Sequence, residues 1–270
     1  NFPALGLDHI SVCHEDSIRY LQEMESVDWI FIDPARRDGR GGKTVAISDC
    51  EPDVSALEDL LLEKAPHVLV KLSPMLDLAL ALHDLKHVQV AHIVSVNNEC
   101  KELLLVLGRE THLSSEEVPI HCINLMTSQT TQCLLFTRQQ EKEYSCPYTS
   151  TLKTYLYEPN ASILKAGAFR SVSSIYNVEK LHPNSHLYTS DEYIPDFPGR
   201  RFLITGSSSL NKKELKELLG TGKKANLTVR NFPASVAELR KRLKLAEGGD
   251  TYLFATTLAN EKKMLIICQP

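Results

Sequence analysis

The segment from Trp29 to Asp38 carries the residues best suited by type and spacing to do chemistry. A nearly continuous apolar strand, predicted over 27–32, runs directly into Asp33 and Pro34. In open α/β sheets, ligands bind just outside the carboxyl ends of the strands. There the carboxylate of Asp33 can accept hydrogen bonds from a substrate amino group. Pro34 stiffens the turn and leaves its carbonyl as a second acceptor. The alternative is that Asp33 only caps a turn.

Three basic side chains accompany this pair. Arg36 and Arg37 follow Pro34 closely, and a guanidinium can stack on a base or bind a phosphate with two hydrogen bonds. Lys71 lies at the end of the next predicted strand, so it can face the same cleft as Asp33. The alternative for all three is a solvated position. The glycine-rich run that follows is not a nucleoside triphosphate loop, because Arg37 stands where the first glycine of that motif is required.

Basic residues are concentrated in the last part of the chain. Residues 200–270 hold 14 lysines and arginines against 6 acidic residues, whereas residues 1–199 hold 16 against 28. This asymmetry predicts a polyanion as the partner of the basic end, and a solvated basic face is the alternative. Phosphate contacts would supply affinity there without sequence specificity. The candidate contacts are Lys212, Lys213, Lys223, Lys224, Arg240 and Arg242.

The seven cysteines show no metal-binding spacing, since no two lie within ten residues of each other. Most stand in apolar stretches, which is typical of reduced, buried thiols in a cytoplasmic protein. No metal site is expected. No apolar run approaches the roughly 18 residues of a membrane helix, so no membrane partner is expected either.

Alternating strands and helices in the first half predict an α/β fold with a mainly parallel sheet. Polar stretches at 138–153 and at 198–200 divide the chain into three predicted domains. These domains cover 1–140, 150–197 and 198–270. In the first domain, strands are predicted at 9–13, 27–32, 67–72 and 88–96, a helix near 98–108, and a closing antiparallel hairpin at 120–126 and 131–137. In the last domain, strands are predicted at 201–205, 224–230, 251–257 and 263–268, and helices at 211–219 and 234–243.

The apolar strand followed by Asp33 and Pro34 resembles motif IV of class I S-adenosylmethionine-dependent methyltransferases. Three longer blocks, 32–43, 71–77 and 155–168, make the resemblance more specific. Together they resemble a bacterial family that joins a methyltransferase core to a ferredoxin-like insert and a C-terminal THUMP-like domain.

The resemblance implies both a fold and an activity. The fold is the C-terminal part of a Rossmann-like methyltransferase sheet, a small ferredoxin-like α+β unit and an α/β THUMP-like domain. The activity is methyl transfer from S-adenosylmethionine to RNA, with tRNA and rRNA both open. Asp33 and Pro34 would lie at the substrate, where Asp33 orients a nucleophile. Arg36, Arg37 and Lys71 would surround the cleft. The side chain of Glu15 or Asp16 would contact the adenine amino group of the cofactor, although either can also begin a helix.

The sequence departs from this family pattern in two ways. Ala35 and Arg36 stand where amino-group methyltransferases have a second proline and an aromatic residue. No glycine-rich turn precedes Asp33, so we expect a fragment that lacks the first two strands and is defective in cofactor binding. Residues 8–25 should then be displaced from the sheet, packed unusually or paired with another chain, while the family's fourth, fifth, seventh and sixth strands stay contiguous in that order. A non-catalytic RNA- or partner-binding module that uses the basic C-terminal domain is the alternative function.

Overall fold

A computed structural model describes most of the chain, namely residues 2–36, 46–128, 130–209, 214 and 224–270. By their internal contacts the residues group into two units. The first comprises 1–90 with 104–115, and the second comprises 91–103 with 116–270. Within the described ranges, no helix has the length and the apolar character needed to cross a membrane.

A strand, a helix and a second strand form the centre of the first unit. Strand β1 (Trp29–Ile32) is followed by helix α2 (Val54–Lys64) and strand β4 (His67–Leu72). β1 and β4 pair in parallel, as the alternating pattern predicts. Other described elements of this unit are α1 (Ser17–Glu23), β2 (Ala35–Arg36), β3 (Cys50–Glu51), α3 (Leu78–Asp84) and 3-10 turns at Pro3–Leu5 and Ile47–Asp49.

Each α-helix of the first unit begins after an aspartate. The carboxylates of Asp16, Asp53 and Asp77 accept hydrogen bonds from backbone N–H groups in the first turns of α1, α2 and α3. Such a cap satisfies donors that the helix itself leaves unpaired and contributes about 1 kcal/mol. The cap at Asp16 agrees with the alternative role given to this residue from the sequence, that of beginning a helix.

A hairpin of two long strands replaces the helix predicted near 98–108. Strands β5 (Val88–Val96) and β6 (Glu99–Gly108) are joined by Asn97 and Asn98, whose φ angles are 48° and 65°. Two consecutive left-handed residues form the type I′ turn that matches the twist of a hairpin. Alternate leucines of β6 are fully buried, with the period of a strand and not of a helix. They are Leu103, Leu105 and Leu107.

The first sheet has six strands in the order β1-β4-β6-β5-β7-β8. Its last two strands are β7 (Ile120–Leu125) and β8 (Thr131–Phe136), which pair antiparallel as predicted. The contiguous strand order implied by the resemblance is confirmed, and β6 takes the place of the family's seventh strand.

Residues 9–13 form no strand, contrary to the prediction. Ile10 and Val12, the apolar residues of the pattern, are 38% and 74% exposed. A strand without hydrogen-bonded neighbours is not stable in water, so the alternating pattern alone does not suffice. This position outside the sheet agrees with the expectation that the segment is displaced.

The second unit contains a seven-stranded sheet in the order β10-β11-β9-β12-β15-β14-β13. Its central strand, β12 (Gly199–Ser208), pairs antiparallel with β9 on one side and β15 on the other. The other strands are β9 (Tyr155–Pro159), β10 (Glu179–Lys180), β11 (Tyr188–Ser190), β13 (Asn226–Arg230), β14 (Tyr252–Thr257) and β15 (Lys263–Gln269). The helices given by the described residues of this unit include α4 (Arg138–Glu143), α5 (Ala161–Ala166), α6 (Phe169–Tyr176) and α7 (Val236–Leu243).

Two clusters of buried side chains stabilise this sheet. One includes Leu156, Phe202, Phe254 and Ile266, and the other includes Leu227, Leu239, Leu253 and Ile267. The predicted strands and the helix of the last 50 residues or so are confirmed, whereas the helix predicted over 211–219 lies outside the described residues.

None of the seven cysteines forms a disulfide bond. Three of them are buried, and burial raises the pKa of the Cys268 thiol to about 12. Cys13 and Cys133 are exposed instead, so the prediction of buried thiols holds for only part of the set.

Candidate active site

The register of β1 and β4 brings Asp33 and Lys71 together. Ile32 lies opposite Val70, so the residue that follows each of them occupies the next rung. Nζ of Lys71 donates a hydrogen bond to Oδ2 of Asp33 over 2.7 Å. The Asp33 side chain is 51% exposed and that of Lys71 32% exposed, so the ion pair borders solvent. The predicted proximity of the two residues is confirmed.

Aromatic rings lie on the same face of β1 as the Asp33 side chain. Side chains alternate along a strand, so Trp29, Phe31 and Asp33 share one face. Trp29 and Phe31 are 56% and 61% exposed, and Trp29 stacks on His67 of β4 with ring centroids 4.8 Å apart. The surface next to the ion pair therefore combines a half-exposed carboxylate with apolar ring area.

Pro34 is buried directly after the exposed Asp33. The chain then enters β2, which pairs antiparallel with β3. This pairing fixes the direction of the backbone behind Asp33. The side chain of Arg36 and the whole of Arg37 lie outside the described residues, so their places around the cleft stay predictions.

The two acidic residues predicted to contact adenine stand at the start of α1. Oδ1 of Asp16 accepts from the N–H groups of Ile18 and Arg19 at 3.0 and 2.9 Å. Both Glu15 and Asp16 are exposed. Asp16 therefore acts as a helix cap, and its Oδ2 has no hydrogen-bond partner among the described residues.

The predicted basic contacts differ in how far they reach solvent. Lys224 and Arg242 are exposed. The Arg240 side chain is only 19% exposed; its Nη2 lies 3.6 Å from Oε1 of Glu247 and its Nη1 donates to the carbonyl of Ala225 over 3.3 Å. Arg240 thus ties α7 to the start of β13 and is not presented to solvent as its neighbours are. The other three candidates, Lys212, Lys213 and Lys223, lie outside the described residues.

Helix α7, which carries Arg240 and Arg242, begins with a capping box. Ser235 and Glu238 exchange hydrogen bonds between their side chains and backbones. The bonds from the Ser235 N–H and hydroxyl hold the pKa of Glu238 below its usual range. The negative start and basic last turn of α7 both complement the helix dipole.

Sequence reasoning missed a carboxylate that is buried between two arginines. Glu158 of β9 is 2% exposed. Its Oε1 accepts from Nε and Nη2 of Arg230 at 3.0 and 2.9 Å. Its Oε2 accepts from Nε of Arg200 at 2.7 Å and from Nη2 of the same residue. The available signal was a glutamate inside a strand whose other residues are apolar or aromatic.

Two adjacent segments of the chain match known domain families. Residues 155–198 match a family described as a ferredoxin-like domain, and residues 199–270 match one described as THUMP domain-like. No curated protein matches the chain. The crystal structure of a putative methyltransferase from Porphyromonas gingivalis W83 is similar with a TM-score of 0.83 and 44% identity.

That similarity covers 90% of this chain and 59% of the Porphyromonas protein, so the chain spans about three fifths of that protein's length. The matches confirm the resemblance that the sequence blocks indicate. The chain carries a ferredoxin-like domain followed by a THUMP-like domain, and over most of its length it is similar to the Porphyromonas protein.

Proposed function

We propose that this protein is an S-adenosylmethionine-dependent methyltransferase that acts on RNA. The observation that carries the proposal is the Asp33–Lys71 pair at the carboxyl ends of two parallel strands. The name of the Porphyromonas protein supports methyl transfer, and the THUMP-like domain supports an RNA substrate. A cytoplasmic location is part of the proposal, since none of the seven cysteines forms a disulfide bond.

The two carboxylate oxygens of Asp33 can bind different partners, Lys71 and the substrate. Oδ2 is held by Lys71, and Oδ1 has no hydrogen-bond partner among the described residues. Oδ1 can therefore accept a hydrogen bond from an amino or hydroxyl group of the substrate, while Lys71 keeps the carboxylate in one orientation. Alignment of the nucleophile in this way supplies a large part of the rate of such a reaction.

Residues of this chain fit the adenine half of S-adenosylmethionine. Oδ2 of Asp16 and the exposed carboxylate of Glu15 fit the adenine amino group, because ionised carboxylates are acceptors only. No glycine-rich turn for the methionine part precedes Asp33 in the sequence. When bound, the cofactor supplies an electrophilic methyl group. We expect this chain by itself to bind it weakly.

Calorimetric titration tests the cofactor part of the proposal. S-adenosylmethionine is titrated into this chain and into a version extended upstream with the natural coding sequence. We expect micromolar binding by the extended version and weak or no binding by this chain. Absence of binding by both would reject the enzyme and favour the second candidate, a non-catalytic RNA-binding module. The observation that favours this second candidate is the excess of basic residues in 200–270.

Paired substitutions test the role of Asp33. Asp33→Asn keeps the shape of the side chain and removes its charge, and Asp28→Asn is the matched control, because Asp28 is exposed just before the same strand. In the upstream-extended version, we expect methyl transfer to RNA to fall about 100-fold in the first variant, since misalignment of a nucleophile has this effect. Unchanged transfer by Asp33→Asn would reject the assignment.

A further inference from the structure

We infer that a groove in the second unit binds unpaired nucleotides of RNA, an inference that rests on the proposed function and names the site of substrate binding. The groove has a volume of about 530 Å³, within the range of ligand sites. We call it the tyrosine groove. The residues that define it are Tyr155, Tyr193, Arg200, Arg201 and Tyr252.

Aromatic rings converge on the tyrosine groove from three segments of the chain. Tyr193 is 55% exposed, and its ring centroid lies 5.5 Å from that of Tyr155. Tyr252 lies 4.9 Å from the ring of Phe202, which also lines the groove. An exposed ring face such as that of Tyr193 can stack on a base, and it tolerates any sequence because every base has a π-face.

Two guanidinium groups are fixed beside these rings. Arg200 is held through Nε and Nη2 by the buried Glu158, and its guanidinium lies 5.9 Å from the Tyr252 ring centroid. Its Nη1 has no hydrogen-bond partner in the described part of the chain. Arg201 lies 5.7 Å from the Tyr193 ring centroid and donates to the carbonyl of Pro195. Because both groups are already oriented, a phosphate can be bound with little further loss of side-chain entropy.

The charge of the tyrosine groove selects a nucleic acid as its occupant. Among the described residues that line it, two are arginines and none is acidic. Phosphates complement the arginines, while bases complement the tyrosines. Bases within a duplex are already stacked on each other, so only unpaired nucleotides can use the rings. The excess of basic residues over 200–270 attracts the rest of the same strand.

Fluorescence anisotropy of labelled octauridine with the full chain tests this inference. The variants are Tyr193→Ala and Arg201→Gln. The matched controls are Tyr148→Ala and Arg19→Ala, since Tyr148 is 47% exposed outside the groove and the Arg19 side chain is 71% exposed on α1. A blunt RNA duplex of the same length serves as competitor, and circular dichroism confirms that each variant folds.

Tyr193→Ala should weaken octauridine binding about tenfold, which corresponds to about 1.4 kcal/mol and to the loss of one base–aromatic stack. Arg201→Gln should make the dependence of log K on log salt concentration less steep by about 0.7, the value for one phosphate of a single strand. The controls should leave both quantities unchanged, and the duplex should compete poorly.

Equal affinities of Tyr193→Ala and Tyr148→Ala would overturn the inference, as would an absence of octauridine binding by the natural chain. The first of these results would leave the proposed function standing, because RNA would then bind elsewhere on the chain. Loss of binding in Tyr193→Ala together with no cofactor binding in calorimetry would support the groove and reject the enzyme.

Discussion

Removing both arginines around Glu158 should destabilise the second unit more than removing the charge of Glu158 itself. The two kinds of variant leave different groups behind. Arg200→Ala with Arg230→Ala removes all four charged hydrogen bonds from a carboxylate that is 2% exposed in the native protein. Glu158→Gln leaves two guanidiniums whose side chains are 40% and 37% exposed, so both can turn toward water.

The expected losses in the free energy of unfolding follow from these exposures. An ionised group left buried without a partner costs about 3–5 kcal/mol. Loss of a hydrogen bond to a charged group costs about 1.5–3 kcal/mol. Because water solvates the freed arginines, the free energy lost in Glu158→Gln should lie near the lower end of this range. We therefore expect the free energy of unfolding to fall by about 2 kcal/mol more in the double arginine variant than in Glu158→Gln.

Urea unfolding followed by two optical signals measures this difference. Trp29 is the single tryptophan and reports on the first unit. Of the nine tyrosines, all except Tyr20 lie in the second unit, so near-ultraviolet circular dichroism reports mainly on that unit. The tyrosine transition should shift to a lower urea concentration in both variants, and further in the double arginine variant than in Glu158→Gln. The tryptophan transition should stay unchanged. An equal or larger shift in Glu158→Gln would refute the reasoning.

Three further predictions concern single positions. Gly199→Ala should destabilise the second unit by roughly 1–3 kcal/mol in urea unfolding, because a Cβ there would overlap the carbonyl of Glu158 and overpacking has this cost. Burial lowers the pKa of His186 from 6.5 to about 4. The contribution of the neutral imidazole to folding stability should therefore be fully present above pH 6.5 and should decrease toward pH 4, because the imidazole of the unfolded chain is protonated over that range. His186→Asn, which tolerates the φ of 53°, should flatten this loss in thermal melts across that range. Iodoacetamide should alkylate the exposed Cys133 and spare the native Cys122, whose pKa is raised by burial; mass spectrometry of the two peptides checks this.

The order of strands in the first sheet was largely predictable from the sequence, but one element was not. Parallel pairing of β1 with β4 follows from two apolar runs separated by a capped helix. At the level of sequence, the uninterrupted apolar run at 103–107 in β6 fits a helix and a strand equally well, because it shows no alternation with polar residues. The decisive signal is the Asn97–Asn98 turn, whose two left-handed residues favour a hairpin.

The part of the candidate site that depends on the ends of adjacent strands was predictable from the sequence. The contacts between residues that lie far apart along the chain were not. Asp33 and Lys71 meet because the ends of adjacent parallel strands meet. Glu158 and Arg230 are 72 residues apart in the chain, and no local pattern indicates that they touch. The tyrosine groove is likewise assembled from separate segments, so its rings come together only in the folded unit.

Transfer of a tritiated methyl group from S-adenosylmethionine to RNA tests the central proposal most directly. The measurement compares the upstream-extended protein with its Asp33→Asn and Asp28→Asn variants at saturating cofactor. We predict labelled RNA from the natural sequence and from Asp28→Asn, and about 100-fold less from Asp33→Asn with octauridine binding unchanged. Equal labelling by all three proteins, or no labelling of RNA by a protein that binds the cofactor, would contradict an RNA methyltransferase centred on Asp33.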